Sequence, residues 1–139
     1  MSGGTFSGNP LTMAAGLAQV SVLDDERDSA YAKIDGLGAR LGERFNEFAR
    51  GANMAVQMLT AGSMFQVYFQ AEPIRSSRDI LLQRTPAETD FYLHLLDQGV
   101  LIPGTRRSFV SCAHDEDTVD AAADIMTSCL QLVRDDGLI

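Results

Sequence analysis

The chain has 139 residues, of which 45% are apolar and 22% are charged, as is ordinary for one globular domain with its own core. Its net charge of −8 argues against a surface for nucleic acid or anionic lipid, because phosphate groups bind to basic patches. No apolar stretch is long enough to span a bilayer, and the N-terminus lacks the pattern of a secretory signal. Only two cysteines are present, so a disulfide framework is excluded; we interpret Cys112 and Cys129 as reduced core residues of a cytoplasmic protein.

The first elements along the chain are a polar loop and two helices. Asn9 followed by Pro10 marks a helix start, because a capping side chain precedes proline at the first helical position. The helix from Pro10 to Leu23 is almost uncharged and rich in small residues, so we expect it to be buried. A second helix runs from about Asp25 to Ala49, and its predicted buried stripe consists of Tyr31, Ile34, Leu37, Leu41 and Phe45.

Three strands follow the second helix. Ala55 to Leu59 and Met64 to Phe69 have the composition of strands, and the residues between them, Thr60 to Ser63, are typical of a hairpin turn. The third predicted strand is Ser108 to Cys112. A long polar segment from Glu72 to Pro86 separates the hairpin from the next helix, and loops of that length are often functional.

Two further helices complete the chain. One runs from about Ala87 to Gln98 and ends at Gly99, a natural C-cap. The last runs from about Asp117 to Val133 and is predicted to bury Val119, Ala122, Met126, Cys129 and Val133. The sequence thus predicts an α+β fold, a small three-stranded antiparallel sheet packed with helices and preceded by a long helical segment. We predict a single domain over 1–139, made of a loop (1–9), two helices (10–49) and a small α+β part (53–139).

The opening segment is the strongest candidate for a binding site. It reads Gly3-Gly4-Thr5-Phe6-Ser7-Gly8-Asn9-Pro10-Leu11. A glycine-rich turn exposes backbone N–H groups, and the hydroxyl group of Thr5 adds a donor for a phosphate dianion. The alternative is an ordinary helix start after a flexible leader, since the same residue types commonly cap helices.

This opening and three later segments resemble the class III, fold-type I aminotransferases, especially glutamate-1-semialdehyde aminomutase. Thr60 to Phe69 is similar to the family's glycine turn and aromatic strand. Leu93 to Pro103 is similar to its helix, glycine stop and extended active-site segment, and Phe109 to Asp117 to its strand, Ser-x-Ala-His turn and acidic helix cap. The four segments occur in the family's order and match the last third of its chain.

The resemblance implies a pyridoxal 5'-phosphate enzyme in which Gly4 and Thr5 contact the cofactor phosphate of the other subunit of a homodimer. The family's cofactor forms a Schiff base with a lysine of the large domain, which then moves the substrate proton. The matched segments do not include that lysine, and the sole lysine here, Lys33, is predicted on the charged face of the second helix. We therefore expect this chain alone to be inactive without the large domain.

The loop after Pro103 departs from the family's pattern. The aminomutase carries a glutamine–aromatic–acid sequence there, whereas this chain reads Gly104-Thr105-Arg106-Arg107. An arginine at this place, Arg106 or Arg107, is suited to hold a substrate carboxylate by a bidentate pair, as the related β-amino acid transaminases are thought to do. The alternative is two solvated arginines. The resemblance thus implies a small carboxylate-bearing amino substrate and leaves aminomutase and transaminase activity both open.

Two more alternatives concern His114 and the chain as a whole. His114 is in an Ala-His-Asp turn, where we favour a capping or packing role over a metal ligand, because no second histidine or cysteine stands at ligand spacing.

The chain is alternatively a stand-alone, non-catalytic dimerisation or binding module derived from this domain. In that case the uncharged first helix must be covered by self-association.

Overall fold

A computed structural model describes residues 4–81, 83–102 and 107–139. The chain forms two compact units, one ending at Lys33 and the other comprising Ile34–Ile139, and each is described by itself. In chain order the elements are α1 (Pro10–Asp25), α2 (Arg27–Gly51), β1 (Gln57–Ala61), β2 (Met64–Tyr68), a 3-10 turn (Ser77–Asp79), α3 (Pro86–Asp97), β3 (Ser108–Phe109) and α4 (Glu116–Asp135). The predicted α+β fold is confirmed.

Helix α1 has no buried residue. Its apolar side chains are exposed, with Leu11 at 79% and Leu17 at 70% of their full accessible surface. The expectation that this helix is buried is therefore wrong, because Leu23 is the one residue of α1 that is even partly buried and the rest are exposed. None of the helices in the described ranges is both long and apolar enough to cross a membrane.

The sheet has the order β1-β2-β3, and both neighbouring pairs are antiparallel. Ala61 pairs with Met64, so the hairpin turn consists of only two residues instead of the predicted four. The first of them, Gly62, has a φ of 57°, a left-handed conformation that glycine adopts without a steric penalty. Strand β3 is shorter than predicted and contributes only two residues to the sheet.

The core of the second unit is formed by α2, the sheet, α3 and α4. Four predicted core positions are wrong. Ile34, the first residue of the second unit, is only half-buried. Tyr31 is exposed, because it lies in the first unit, ahead of the part of α2 that faces this core. Ala122 is only half-buried, since the stripe of α4 passes through Ala123. Cys112 is exposed, because β3 ends at Phe109 and the following residues form a turn.

One face of α2 lies directly against the β1–β2 hairpin. A Cβ added at Gly38 would lie 2.3 Å from the carbonyl oxygen of Gly62, so the absence of a side chain permits this close approach. Two turns further along, the side chain of Asn46 covers the open edge of β1. Its Nδ2 donates to the carbonyl oxygen of Met58 at 2.9 Å, and the Met58 N–H donates to its Oδ1 at 2.8 Å. The amide thus replaces a neighbouring strand at this sheet edge.

Ion pairs join α2 to α4 on the solvent side. Arg40 donates two hydrogen bonds of 2.7 Å to the two carboxylate oxygens of Asp120 and lies 3.3 Å from Glu116. Arg44 contacts Asp120 at 2.9 Å and Asp124 at 2.6 Å. The bidentate geometry of the Arg40–Asp120 pair distinguishes it from ordinary surface ion pairs, which contribute little.

Replacing Asp120 by Asn should lower the thermal midpoint at neutral pH, and the difference from the wild type should vanish on acidification. Hydrogen bonds from Arg40 are the main reason that the pKa of Asp120 falls from 3.8 to about 2. Because the pKa of Asp120 is lower in the folded chain, its ionised carboxylate stabilises the fold fully above about pH 4. This stabilisation is lost as the pH falls towards about 2. Thermal unfolding at a series of pH values measures this effect.

The matched control is Glu47→Gln, which removes an exposed acid from α2 and should leave the pH profile of the midpoint unchanged. If the thermal midpoint of the Asp120→Asn variant is still below that of the wild type at pH 2, the loss of stability has a cause other than the titration of Asp120.

Candidate functional site

The opening turn presents hydrogen-bond donors to solvent. The Ser7 N–H donates to the Gly4 carbonyl oxygen at 3.0 Å and the Asn9 N–H to that of Phe6 at 3.1 Å. A Cβ at Gly4 would lie 2.9 Å from the Ser7 hydroxyl, a contact that rotation of the Ser7 side chain relieves. Among the described residues, neither the hydroxyl group nor the backbone N–H of Thr5 has a hydrogen-bond partner. Gly3 lies outside the described residues.

The N-terminus of α1 is already satisfied by its cap. Asn9 Oδ1 accepts from the N–H groups of Leu11 at 3.0 Å and Thr12 at 3.3 Å, and the Asn9 carbonyl oxygen accepts from Met13 at 2.9 Å. Pro10 has no N–H group. The first turn of the helix therefore has no donor left over, and an anion bound here would depend on the turn around Thr5.

Arg107 lies at the edge of an apolar cavity of about 460 Å³ in the second unit. The side chain of Arg107 is exposed. The walls come from β2, β3, α4 and the segment before the loop, and are formed mainly by Phe65, Val100, Ile102, Val119 and Met126. Arg106 lies outside the described residues. The cavity therefore combines an apolar interior with one guanidinium group at its rim.

His114 also lines this cavity, but its hydrogen bonds are local. Nδ1 accepts from the Ser111 N–H at 3.0 Å and lies 3.1 Å from the Ser111 hydroxyl. The His114 N–H in turn donates to the Ser111 carbonyl oxygen at 3.1 Å. The ring thus closes the turn that precedes α4, which is the packing role favoured by the sequence.

Sequence reasoning missed one group of side chains. His94 and Asp90 occupy neighbouring turns of α3, and Asp136 at the end of α4 joins them, so that their ligand atoms all lie within 4.8 Å of one another. The spacing of four residues between Asp90 and His94 is a sequence signal for a shared helix face. The contribution of Asp136 depends on how α3 packs against α4, which no local pattern shows.

The comparisons with known proteins identify the relatives of this chain. No family model matches it. Glutamate-1-semialdehyde 2,1-aminomutase from Opitutus terrae is 35% identical over 129 residues, which cover 91% of this chain and 30% of that protein. The chain thus spans less than a third of the length of the curated relatives it matches, and it aligns with their C-terminal part.

Solved structures share the fold of this chain. An omega-transaminase from Sphaerobacter thermophilus superposes with a TM-score of 0.78 and 27% identity, over 96% of this chain and 30% of that one. A glutamate-1-semialdehyde aminomutase variant from Pseudomonas aeruginosa, solved in complex with PMP, has a TM-score of 0.65 at 18% identity over 75% of this chain and 23% of that one, which supports the fold alone. The chain corresponds to the C-terminal domain of the pyridoxal-phosphate-dependent, glutamate-1-semialdehyde aminomutase-like class III aminotransferases.

Proposed function

We propose that this chain acts as the C-terminal domain of an aminomutase or transaminase whose substrate is a small amino compound with a carboxylate group. The observation that carries the proposal is the match to glutamate-1-semialdehyde aminomutase along 91% of this chain. Because the match covers 30% of the relative, the remaining machinery of such an enzyme belongs to a large domain outside this segment.

The opening turn fits the phosphate end of pyridoxal 5'-phosphate. Thr5 offers a hydroxyl group and a backbone N–H without partners among the described residues, and hydrogen bonds to a charged phosphate are stronger than neutral ones. Gly4 and Thr5 would therefore bind the cofactor phosphate of the partner subunit. When bound, the cofactor supplies the electron sink for amino-group transfer. Lys33 is exposed on α2, so we assign the cofactor-binding lysine to the large domain and expect this chain alone to be inactive.

Of the two candidate arginines, Arg107 lies within the residues that the structure describes, and it would bind the substrate carboxylate. A guanidinium group binds a carboxylate through two parallel hydrogen bonds, and the adjoining cavity accepts an apolar side chain of the substrate. By the family resemblance Arg106 is an equal candidate. An arginine in this loop is what the resemblance to β-amino acid transaminases implies for holding a substrate carboxylate.

The proposed partners are a second copy of the chain and the large domain. No residue of α1 is buried, and large apolar side chains such as those of Leu11 and Leu17 are exposed; exposed apolar patches of this kind mark interaction sites. The same observation favours the second candidate function, a non-catalytic dimerisation module. In both cases we expect a cytoplasmic homodimer.

The test is a chimaera in which this chain replaces the C-terminal segment that it matches in the Opitutus terrae aminomutase. We expect the chimaera to retain pyridoxal phosphate and to be dimeric. Thr5→Val removes one hydrogen bond to a charged group, worth about 1.5–3 kcal/mol, so the cofactor affinity should fall roughly 10- to 100-fold. Cofactor titration followed by absorbance measures the affinity.

Thr12→Val is the matched control, because Thr12 lies inside α1 and should not contact the phosphate. Equal cofactor affinity in the Thr5→Val and Thr12→Val chimaeras would contradict the assigned role of Thr5. A chimaera that is dimeric but neither binds the cofactor nor turns over substrate would favour the dimerisation module.

A further inference from the structure

The cluster of Asp90, His94 and Asp136 has the geometry of a site for a divalent metal ion. Nε2 of His94 lies 3.2 Å from Oδ2 of Asp90 and 3.3 Å from Oδ2 of Asp136. In a tetrahedral zinc site with bonds of about 2.1 Å, neighbouring ligand atoms are about 3.4 Å apart. Two of the three ligand separations therefore already have the length that a shared ion imposes.

The hydrogen bonds of the cluster are incomplete without a cation. Nε2 of His94 has hydrogen-bonding geometry towards Asp136, and a ring nitrogen carries at most one proton. Oδ2 of Asp90 is buried, and its 3.2 Å contact with Nε2 of His94 does not have hydrogen-bonding geometry. A buried carboxylate oxygen without a hydrogen bond is costly, whereas a metal ion would satisfy all three ligand atoms together.

The electrostatic surroundings favour a positive ion as well. Two carboxylates converge on one point, and like charges at this distance repel each other. Asp136 is the C-cap of α4, so the partial negative charge of the helix C-terminus adds to theirs. The side chain of Asp136 is 57% exposed, while those of Asp90 and His94 are 30% and 27% exposed. An ion would thus reach the site from the side of Asp136.

We propose that Asp90, His94 and Asp136 bind one divalent ion of the zinc class and so fasten the end of α4 to α3. One nitrogen and two oxygen ligands suit Zn²⁺, which accepts both types, better than Mg²⁺, which prefers an octahedral shell of oxygens. The three protein ligands leave a fourth position for water. The proposed role of the ion is structural, because none of its three ligands lines the cavity at Arg107.

Isothermal titration of the chain with Zn²⁺ tests the proposal, using a Cys112→Ser background because the exposed thiol is itself a zinc ligand. We expect one ion per chain and, at about ten times the dissociation constant, a rise of roughly 3 °C or more in the thermal midpoint. Asp136→Asn and His94→Gln should each weaken binding at least about tenfold, since even second-shell changes cost that much.

His114→Gln is the matched control, because it removes the other histidine and should leave zinc binding unchanged. Mg²⁺ at the same concentration should give no comparable stabilisation. The proposal is overturned if Zn²⁺ produces no binding heat, if the Asp136→Asn and His94→Gln variants bind it as tightly as their parent, or if Mg²⁺ stabilises the chain equally. The cluster would then be a histidine that bridges two carboxylates.

Discussion

Replacing Phe91 by Ala should lower the free energy of unfolding by about 3–5 kcal/mol, the usual cost of deleting a buried aromatic ring. Phe91 has no exposed surface. Its ring packs edge-on against those of Phe45, Phe69 and Tyr92, with centroid distances of 6.3, 5.5 and 5.4 Å. Single domains are stable by only about 5–15 kcal/mol, so this loss would leave the variant close to unfolding. Denaturant titration followed by circular dichroism measures the change.

Leu93→Ala is the control for this prediction, since Leu93 lies on the same helix and is 60% exposed. Its effect should stay within about 0.5 kcal/mol, as for most surface positions. If the two variants lost stability equally, α3 would not present Phe91 to the core as described.

Replacing Gly38 by Ala should destabilise the protein by about 1–3 kcal/mol, the range for overpacking a well-packed interface. The new Cβ would lie 2.3 Å from the carbonyl oxygen of Gly62. Because this neighbour is a backbone atom in a two-residue turn, it has no rotamer with which to move aside. Helix α2 and the hairpin would have to separate. The free energy of unfolding, again from denaturant titration, is the measurement.

Gly36→Ala provides an opposite-sign control on the same helix. A Cβ at Gly36 meets no atom within 4 Å, and Ala is favoured over Gly inside a helix by about 1 kcal/mol. This variant should therefore be more stable than the wild type. Stabilisation by both substitutions would mean that α2 does not approach the hairpin at Gly38.

Local sequence signals predicted most of the elements. Asn9 before Pro10 located the start of α1, because capping and the fixed φ of proline act within a few residues. The stop at Gly99, whose φ is 83°, is of the same kind. The resemblance to a known family predicted the three-stranded antiparallel sheet, and the comparisons confirm both the family and the fold.

Errors arose where exposure depends on distant parts of the chain. Tyr31 continues the apolar stripe of α2 in sequence but is exposed, because periodicity shows which residues share a face and not where the facing core ends. Cys112 was expected inside a strand, yet β3 stops at Phe109, since a strand extends only as far as its neighbour pairs with it. Helix α1 is apolar enough for burial, but none of its residues is buried.

The helices and strands, their caps and the family of the segment follow from the sequence alone, because they depend on neighbouring residues or on motifs in a fixed order. Contacts between distant residues, in contrast, become visible only in the folded molecule. The contact of Gly38 with the hairpin and the convergence of Asp136 on His94 both depend on packing between elements far apart in the chain. Such packing is set by the shape of the whole core, and no short segment of sequence carries that information.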